Sequence, residues 1–244
     1  MLYKFNRHFD ISYSRVDSFL KLGPIEAFNM AQEMNTEYFK SFGSDNAFLR
    51  KKDNAAWVIT KTKLSFINST DWGDSLEAVS STTLSKGFKT EIQTVFRNNE
   101  KVNFVAKQEM CVIDVDKRVP VRLESISYPK DMECDLPAVD VSFFRLKDCL
   151  GEDCLVYNDH FRFSDIDYSQ HVNNVAYVHY LVDALGRAFF ETNVITDFEV
   201  QYLHECFEGQ AFKVYKKVTS EGCVDLEIRC GDISCIKARI LYTF

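Results

Sequence analysis

The chain has 244 residues, 46% of them hydrophobic and 14% aromatic, enough to bury one large core or two smaller ones. Its formal charge of -7 excludes a broad nucleic-acid surface, which needs clustered Lys and Arg in excess to neutralise phosphate. No apolar run approaches the roughly 20 residues that cross a bilayer, and residues 1–8 lack the apolar core of a signal peptide, so a cytoplasmic protein with no membrane partner is expected.

Taken in chain order, one pattern is written twice. His8-Phe9-Asp10-Ile11-Ser12 opens the first half and His160-Phe161-Arg162-Phe163-Ser164 the second, each followed by a polar stretch, a helix-like segment and alternating strands. Pro24 suits a first helical turn and Gly43 suits a stop, which predicts a helix over 24–42 carrying Ile25, Phe28, Met30, Ala31, Met34 and Phe39. Alternation punctuated by turn residues such as Asn98-Asn99 predicts strands over 56–67, 74–84, 88–97, 102–115 and 119–126. The interval 127–153, with Pro129 and Pro137, breaks both patterns and reads as a linker, with room for a short strand or helix over 139–146. Beyond it, Val175, Val178, Leu181, Val182, Leu185 and Phe189 recur at threes and fours and predict a helix over 172–191. Strands are expected over 196–205, 210–219, 223–230 and 234–244, separated by Glu208-Gly209, Glu221-Gly222 and Gly231-Asp232. Each helix is too apolar to stay exposed, and one face of each antiparallel sheet must be covered. The expected fold is therefore α+β: a tandem double hot-dog, with one unit over 1–126, the linker over 127–153 and a second unit over 154–244.

The eight cysteines (Cys111, Cys134, Cys149, Cys154, Cys206, Cys223, Cys230, Cys235) form no Cys-x-x-Cys pair and join no paired histidine spacing. They read as reduced packing residues, with no metal or cofactor expected. The basic clusters Arg50-Lys51-Lys52, Lys117-Arg118 with Arg122, Lys213 with Lys216-Lys217, and Lys237 with Arg239 each read as solvated faces.

Chemistry concentrates in Ser164-Asp165-Ile166-Asp167-Tyr168-Ser169-Gln170-His171-Val172-Asn173-Asn174-Val175-Ala176-Tyr177, at the start of the second helix. One reading is capping, in which Asp, Ser and Asn side chains satisfy free helix amides. The other is hydrolysis: Asp167 or His171 as a base for water, with the helix-start amides at Val172, Asn173 and Asn174 aimed at a developing oxyanion.

The run Asp167-Tyr168-Ser169-Gln170-His171-Val172-Asn173-Asn174 resembles the Asp-x-Asn-x-His-Val-Asn-Asn signature of the acyl-acyl-carrier-protein (acyl-ACP) thioesterases. Trp72-Gly73-Asp74, Pro120-Val121-Arg122 and Tyr202-Leu203-His204-Glu205-Cys206 extend the resemblance over essentially the whole chain, the linker matching least. The resemblance implies a double hot-dog enzyme that hydrolyses fatty acyl-ACP thioesters to free fatty acid and ACP. Asp167, His171 and Glu205 are the implied catalytic residues, Cys206 lines the site, and ACP is the implied partner. Ser169 stands where the family has Asn; a hydroxyl is shorter and carries one donor proton, so it serves either as a modified positioning group or as a nucleophile helped by His171. Strict alternation puts His204, not Glu205, on the face shared with Phe198, Val200 and Tyr202, which makes His204 a rival.

Aligning the two helix starts places Lys21 where His171 stands and Ser69-Thr70 near Glu205-Cys206, so the first copy lacks the constellation. The resemblance implies that this half shapes an acyl-chain tunnel, with Phe28, Ala31, Met34, Trp57 and Ile59 as candidate substrate-binding residues. Rival functions are an acyl-CoA thioesterase, a non-catalytic acyl-thioester binding protein and an enoyl-thioester hydratase; the assembly expected is a monomer or a homodimer.

Overall fold

The computed structural model describes residues 4–129, 141–146 and 150–244, and it divides into two compact units, Met1–Val141 and Ser142–Phe244. In the first, β1 (Phe5–Asp10) precedes α1 (Pro24–Ser41) and α2 (Asn46–Asp53), and a meander follows: β2 (Ala55–Phe66), β3 (Ser75–Lys86), β4 (Lys89–Asn98) and β5 (Lys101–Asp114). The strands are antiparallel in the order β1-β3-β4-β5-β2. In the second, β6 (Leu155–His160) precedes α3 (Asn174–Leu185) and α4 (Arg187–Thr192), then come β7 (Val194–Tyr202), β8 (Ala211–Ser220), β9 (Cys223–Cys230) and β10 (Ile233–Thr243). Their order, β6-β8-β9-β10-β7, is the same topology.

The repeat read from the sequence is thus real; each copy opens with a strand that its periodicity did not announce, the first copy adds α2, and the second divides its one expected helix into α3 and α4. β1 and β6 are six residues long and bury at most one residue each, so their sequences carry too few apolar positions to read as strands. The signal for α2 was its cap: the Asp45 carboxylate accepts the N–H groups of Ala47 and Phe48 at 2.9 and 3.0 Å, and Asn54 ends the helix at φ 49°. The basic run Arg50-Lys51-Lys52 is the last turn of α2, where positive charge complements the helix dipole.

α1 buries Phe28, Met30, Ala31, Met34, Tyr38 and Phe39 and ends through Gly43 at φ 67°, whose N–H reaches the Lys40 carbonyl at 3.1 Å. The helix expected over 172–191 starts later, at Asn174, because Asn173 caps it. Gly186 at φ 77° and ψ 163° then breaks it into α3 and α4. The strand expected over 119–126 is replaced by a single bridge at Pro120 and a 3₁₀ turn at Leu123–Ser125, since proline cannot donate to a ladder. Residues 141–146 form neither helix nor strand, while residues 139–140, with Cys134, Pro137 and Cys149, lie outside the described residues.

The described part of the connecting segment in the second unit is held by buried carboxylates. Glu199 Oε2 accepts the Phe144 N–H at 2.6 Å, and Glu227 Oε2 accepts the Leu150 N–H at 2.7 Å. Both glutamates are fully buried on sheet strands, where a carboxylate persists only if it is paired or hydrogen-bonded. Arg229 satisfies that condition for Glu227, at 2.7 Å, and holds its carboxyl below the usual range against the opposing pull of desolvation. No helix among the described residues is long and apolar enough to cross a membrane.

Two substitutions test these local assignments. Asp45→Ala removes both cap bonds of α2 and is expected to cost about 1 kcal/mol in urea unfolding. Gly186→Ala forces a Cβ into a left-handed conformation and is expected to cost about 1–3 kcal/mol by the same measurement.

Candidate active site

The polar run ahead of α3 folds into a closed loop. Asp165 C=O accepts the Asn173 N–H at 2.8 Å, and His171 C=O accepts the Asp167 N–H at 3.0 Å. Ile166 and Val172 bridge between these two bonds. At the tip, Asp167 Oδ1 accepts the Ser169 N–H at 2.7 Å, and Gln170 turns the chain at φ 67°. Asp167 is therefore first an organiser of the turn, and it sets the Ser169 and His171 side chains on a fixed backbone.

His171 projects toward the chain that leaves β7. Its Nε2 lies 3.5 Å from Glu205 Oε2, with both side chains partly exposed, and its ring meets the edge of Phe207 at 5.1 Å between centroids. Strand alternation does not reach Glu205, because β7 ends at Tyr202. The Leu203 and His204 N–H groups both turn to the Cys235 carbonyl, at 2.8 and 3.2 Å. His204 is exposed, and Glu205 is placed against His171. The bulge beside this strand exit lies in β10, where the register shifts between Ser234 and Ile236; the irregularity in β7 is near its start, between Ile195 and Asp197.

The loop and the strand exit are joined directly: the Val172 N–H donates to the Cys206 carbonyl at 2.9 Å. From α3, the Tyr177 hydroxyl accepts the Cys206 N–H at 3.1 Å. One turn further, the Tyr180 hydroxyl donates to Asp165 Oδ2 at 2.7 Å, and the same oxygen accepts the Arg162 N–H at 2.7 Å. Burial holds the Tyr177 phenol well above its usual range, and burial with the Asp165 bond pushes Tyr180 up to about 12, so both remain neutral hydroxyls. Reading the sequence gave these tyrosines no role. Their signal is two hydroxyls three residues apart on an otherwise apolar helix face.

Residues 152–243 match the family model of the acyl-ACP thioesterase C-terminal domain. That match spans 92 of the 244 residues and is a likeness of the C-terminal part of the chain. The fold of the whole chain is similar to that of an acyl-ACP thioesterase from Bacteroides thetaiotaomicron, with TM-score 0.88 and 18% identity over 99% of this chain and 98% of that one. A 12:0-ACP thioesterase from Umbellularia californica gives TM-score 0.86 and 18% identity, covering 99% and 97%. A 45-residue stretch is 38% identical to the chloroplastic dodecanoyl-[acyl-carrier-protein] hydrolase of Cinnamomum camphora; it spans 18% of this chain and only 12% of that protein. The architecture is the double hot-dog.

Three expectations from the sequence are affected by the structure. The Val172 and Asn173 amides are not free oxyanion donors, since they are bonded to Cys206 and Asp165, and the Val175 N–H is taken by Asn173 Oδ1 at 2.8 Å. Among the amides proposed for that role, Asn174, the first residue of α3, is the remaining donor. Cys206 is wholly buried and contacts Cys230 Sγ at 3.6 Å. The bond with Cys230 lowers its pKa, but the bond with Cys235 and burial outweigh it and carry the thiol up to about 11.

The third change concerns the first unit. Phe28, Ala31 and Met34 are buried on α1 as expected, but Trp57 and Ile59 belong to an aromatic core with Tyr38, Phe39 and Tyr128. The Trp57 ring stacks on Phe39 at 4.6 Å, and its Nε1–H donates to the Ser44 carbonyl at 2.8 Å. Both residues therefore take part in core packing.

If Cys206 is a packing thiol, iodoacetamide at neutral pH leaves it unmodified in the native protein and labels it after unfolding. Peptide mass mapping of the two samples reads this directly.

Proposed function

We propose that this chain hydrolyses fatty acyl-ACP thioesters, releasing a free fatty acid and the carrier with its thiol restored. The observation that carries the reading is the His171–Glu205 pair, held at 3.5 Å on a closed loop within the stretch that matches the acyl-ACP thioesterase C-terminal domain. His171 takes a proton from water as the water oxygen adds to the thioester carbonyl carbon, and Glu205 orients the imidazole and stabilises its charged form. The carbonyl electrons collect on oxygen, toward which the Asn174 N–H and the α3 N-terminus supply positive potential. Their return expels the thiolate, which receives the proton from His171. Ser169 positions the water or the carbonyl oxygen, and Asp167 keeps the loop in register.

Phe28, Ala31 and Met34 are assigned to the acyl-chain wall in the first unit. ACP is assigned as the macromolecular partner on the strength of the family match.

The test is thiol and fatty-acid release from a panel of acyl-ACP and acyl-CoA thioesters. Wild type is expected to prefer the carrier thioester, with a preference that shrinks as salt screens protein–protein charge attraction. His171→Ala is expected to lower kcat/KM by about 10² to 10⁴-fold. Ser169→Asn is expected to retain activity, since amide and hydroxyl both reach a bound water. An acyl-enzyme trapped on Ser169 would overturn the water mechanism. Tight acyl-thioester binding with no release from wild type would make the chain a binding protein on this fold.

A further inference from the structure

A group of side chains outside the hydrolytic pair has no role in the chemistry above. Cys206, Cys230 and Cys235 are 0%, 7% and 1% exposed, and their sulfurs all lie within 4.8 Å of one another. They come from three separate places: the segment after β7, the last residue of β9, and β10 at its register shift. Regular alternation would point Cys235 and Ile236 to opposite faces. The bulge between Ser234 and Ile236 instead lets both be buried, and it turns the Cys235 sulfur toward Cys206 and Cys230. Three converging thiols are the donor set of a soft-metal site; a disulfide would use two of them and leave the third.

The dimensions agree. A tetrahedral thiolate site with metal–sulfur bonds of about 2.3 Å sets its sulfurs about 3.8 Å apart. Cys206 Sγ and Cys230 Sγ are already 3.6 Å apart, and the upper limit of 4.8 Å for the cluster leaves each sulfur about 1 Å or less to move. The hydroxyl of Tyr177, hydrogen-bonded to the Cys206 N–H, stands beside the cluster as an oxygen donor. Spacing in the sequence hides this set, because Cys230 and Cys235 are separated by a hairpin and Cys206 is on another strand exit.

We propose that Cys206, Cys230 and Cys235 form a buried site for a single thiophilic d10 cation of the zinc class, seated next to the segment that carries Glu205. Binding exchanges the three thiol protons to solvent and forms three metal–sulfur bonds, with no change of oxidation state. The ion ties the Cys206 segment to β9 and β10, and through the Cys206 carbonyl it also supports the Val172 end of the His171 loop. The site does not depend on the hydrolytic reading, and its test needs no substrate.

The experiment is an anaerobic titration of the reduced, metal-free full chain with cadmium chloride, followed by thiolate-to-cadmium absorption in the ultraviolet and by thermal unfolding. One saturable equivalent with a rise in Tm is expected. Cys235→Ala and Cys230→Ala should each lose that transition, whereas Cys223→Ala, outside the cluster, should keep it. If the cluster variants do not fold, alkylation of wild type during heat-induced opening replaces them: bound cadmium should slow labelling at Cys206, Cys230 and Cys235 and leave Cys154 and Cys223 unchanged. Absence of a one-equivalent transition in folded wild type overturns the proposal. So does a transition that survives in folded Cys235→Ala and Cys230→Ala, or cadmium protection that falls on other cysteines.

Discussion

The hydrogen bond from the Val172 N–H to the Cys206 carbonyl is the constraint on which the candidate site depends. By itself such a bond contributes about 1 kcal/mol net. Its importance is positional, since His171 immediately precedes Val172 and Glu205 immediately precedes Cys206. Bonding those two neighbours brings an imidazole and a carboxylate to 3.5 Å of each other without either side chain having to hold the backbone in place. The rest of the local structure secures this bond from both sides: Asp165 and Asp167 close the loop, and Tyr177 grips the Cys206 amide from α3.

The same arrangement explains why several polar groups that look chemically available are already committed. Two amides at the start of α3 close backbone contacts, and the Asn173 side chain caps the helix. The capping and catalytic readings of the polar run are therefore both supported, by different atoms of adjacent residues. Capping orients α3 so that its first amide and its dipole face the loop, while the side chains left over from capping are the ones that can meet a substrate.

The second unit buries a few polar groups on its antiparallel sheet. Glu199 and Glu227 hold the connecting segment, and the three thiols gather where β7, β9 and β10 end or bulge. Irregularities of the ladder account for the thiol placement: the bulge at Cys235 supplies both the buried sulfur and the carbonyl that receives the strand exit after Tyr202. In the first unit the matching positions hold Lys21, paired across a bridge with Asp71, and the copy that lacks the constellation is devoted to an aromatic core.

Much of this was legible before any coordinates. Apolar spacing located α1 and α3, alternation located most strands of both meanders, and local motif density located the loop from Asp165 to Asn174, because these depend on neighbours within a few residues. The opening strand of each copy and α2 escaped, since a short, mostly polar strand and a capped, largely charged helix leave weak periodicity, and the break between α3 and α4 at Gly186 was not foreseen. What tertiary structure decided were the contacts between distant segments. Alternation favoured His204 over Glu205, and only the end of β7 at Tyr202 and the shared Cys235 carbonyl reverse that order. Cysteine spacing argued against a metal, and only the β10 bulge brings Cys206, Cys230 and Cys235 together. The amino-acid order by itself determined which residues carry chemistry and which faces must be buried; which of those residues meet was decided by where strands stop and bulge, a property of the whole ladder and not of any single segment.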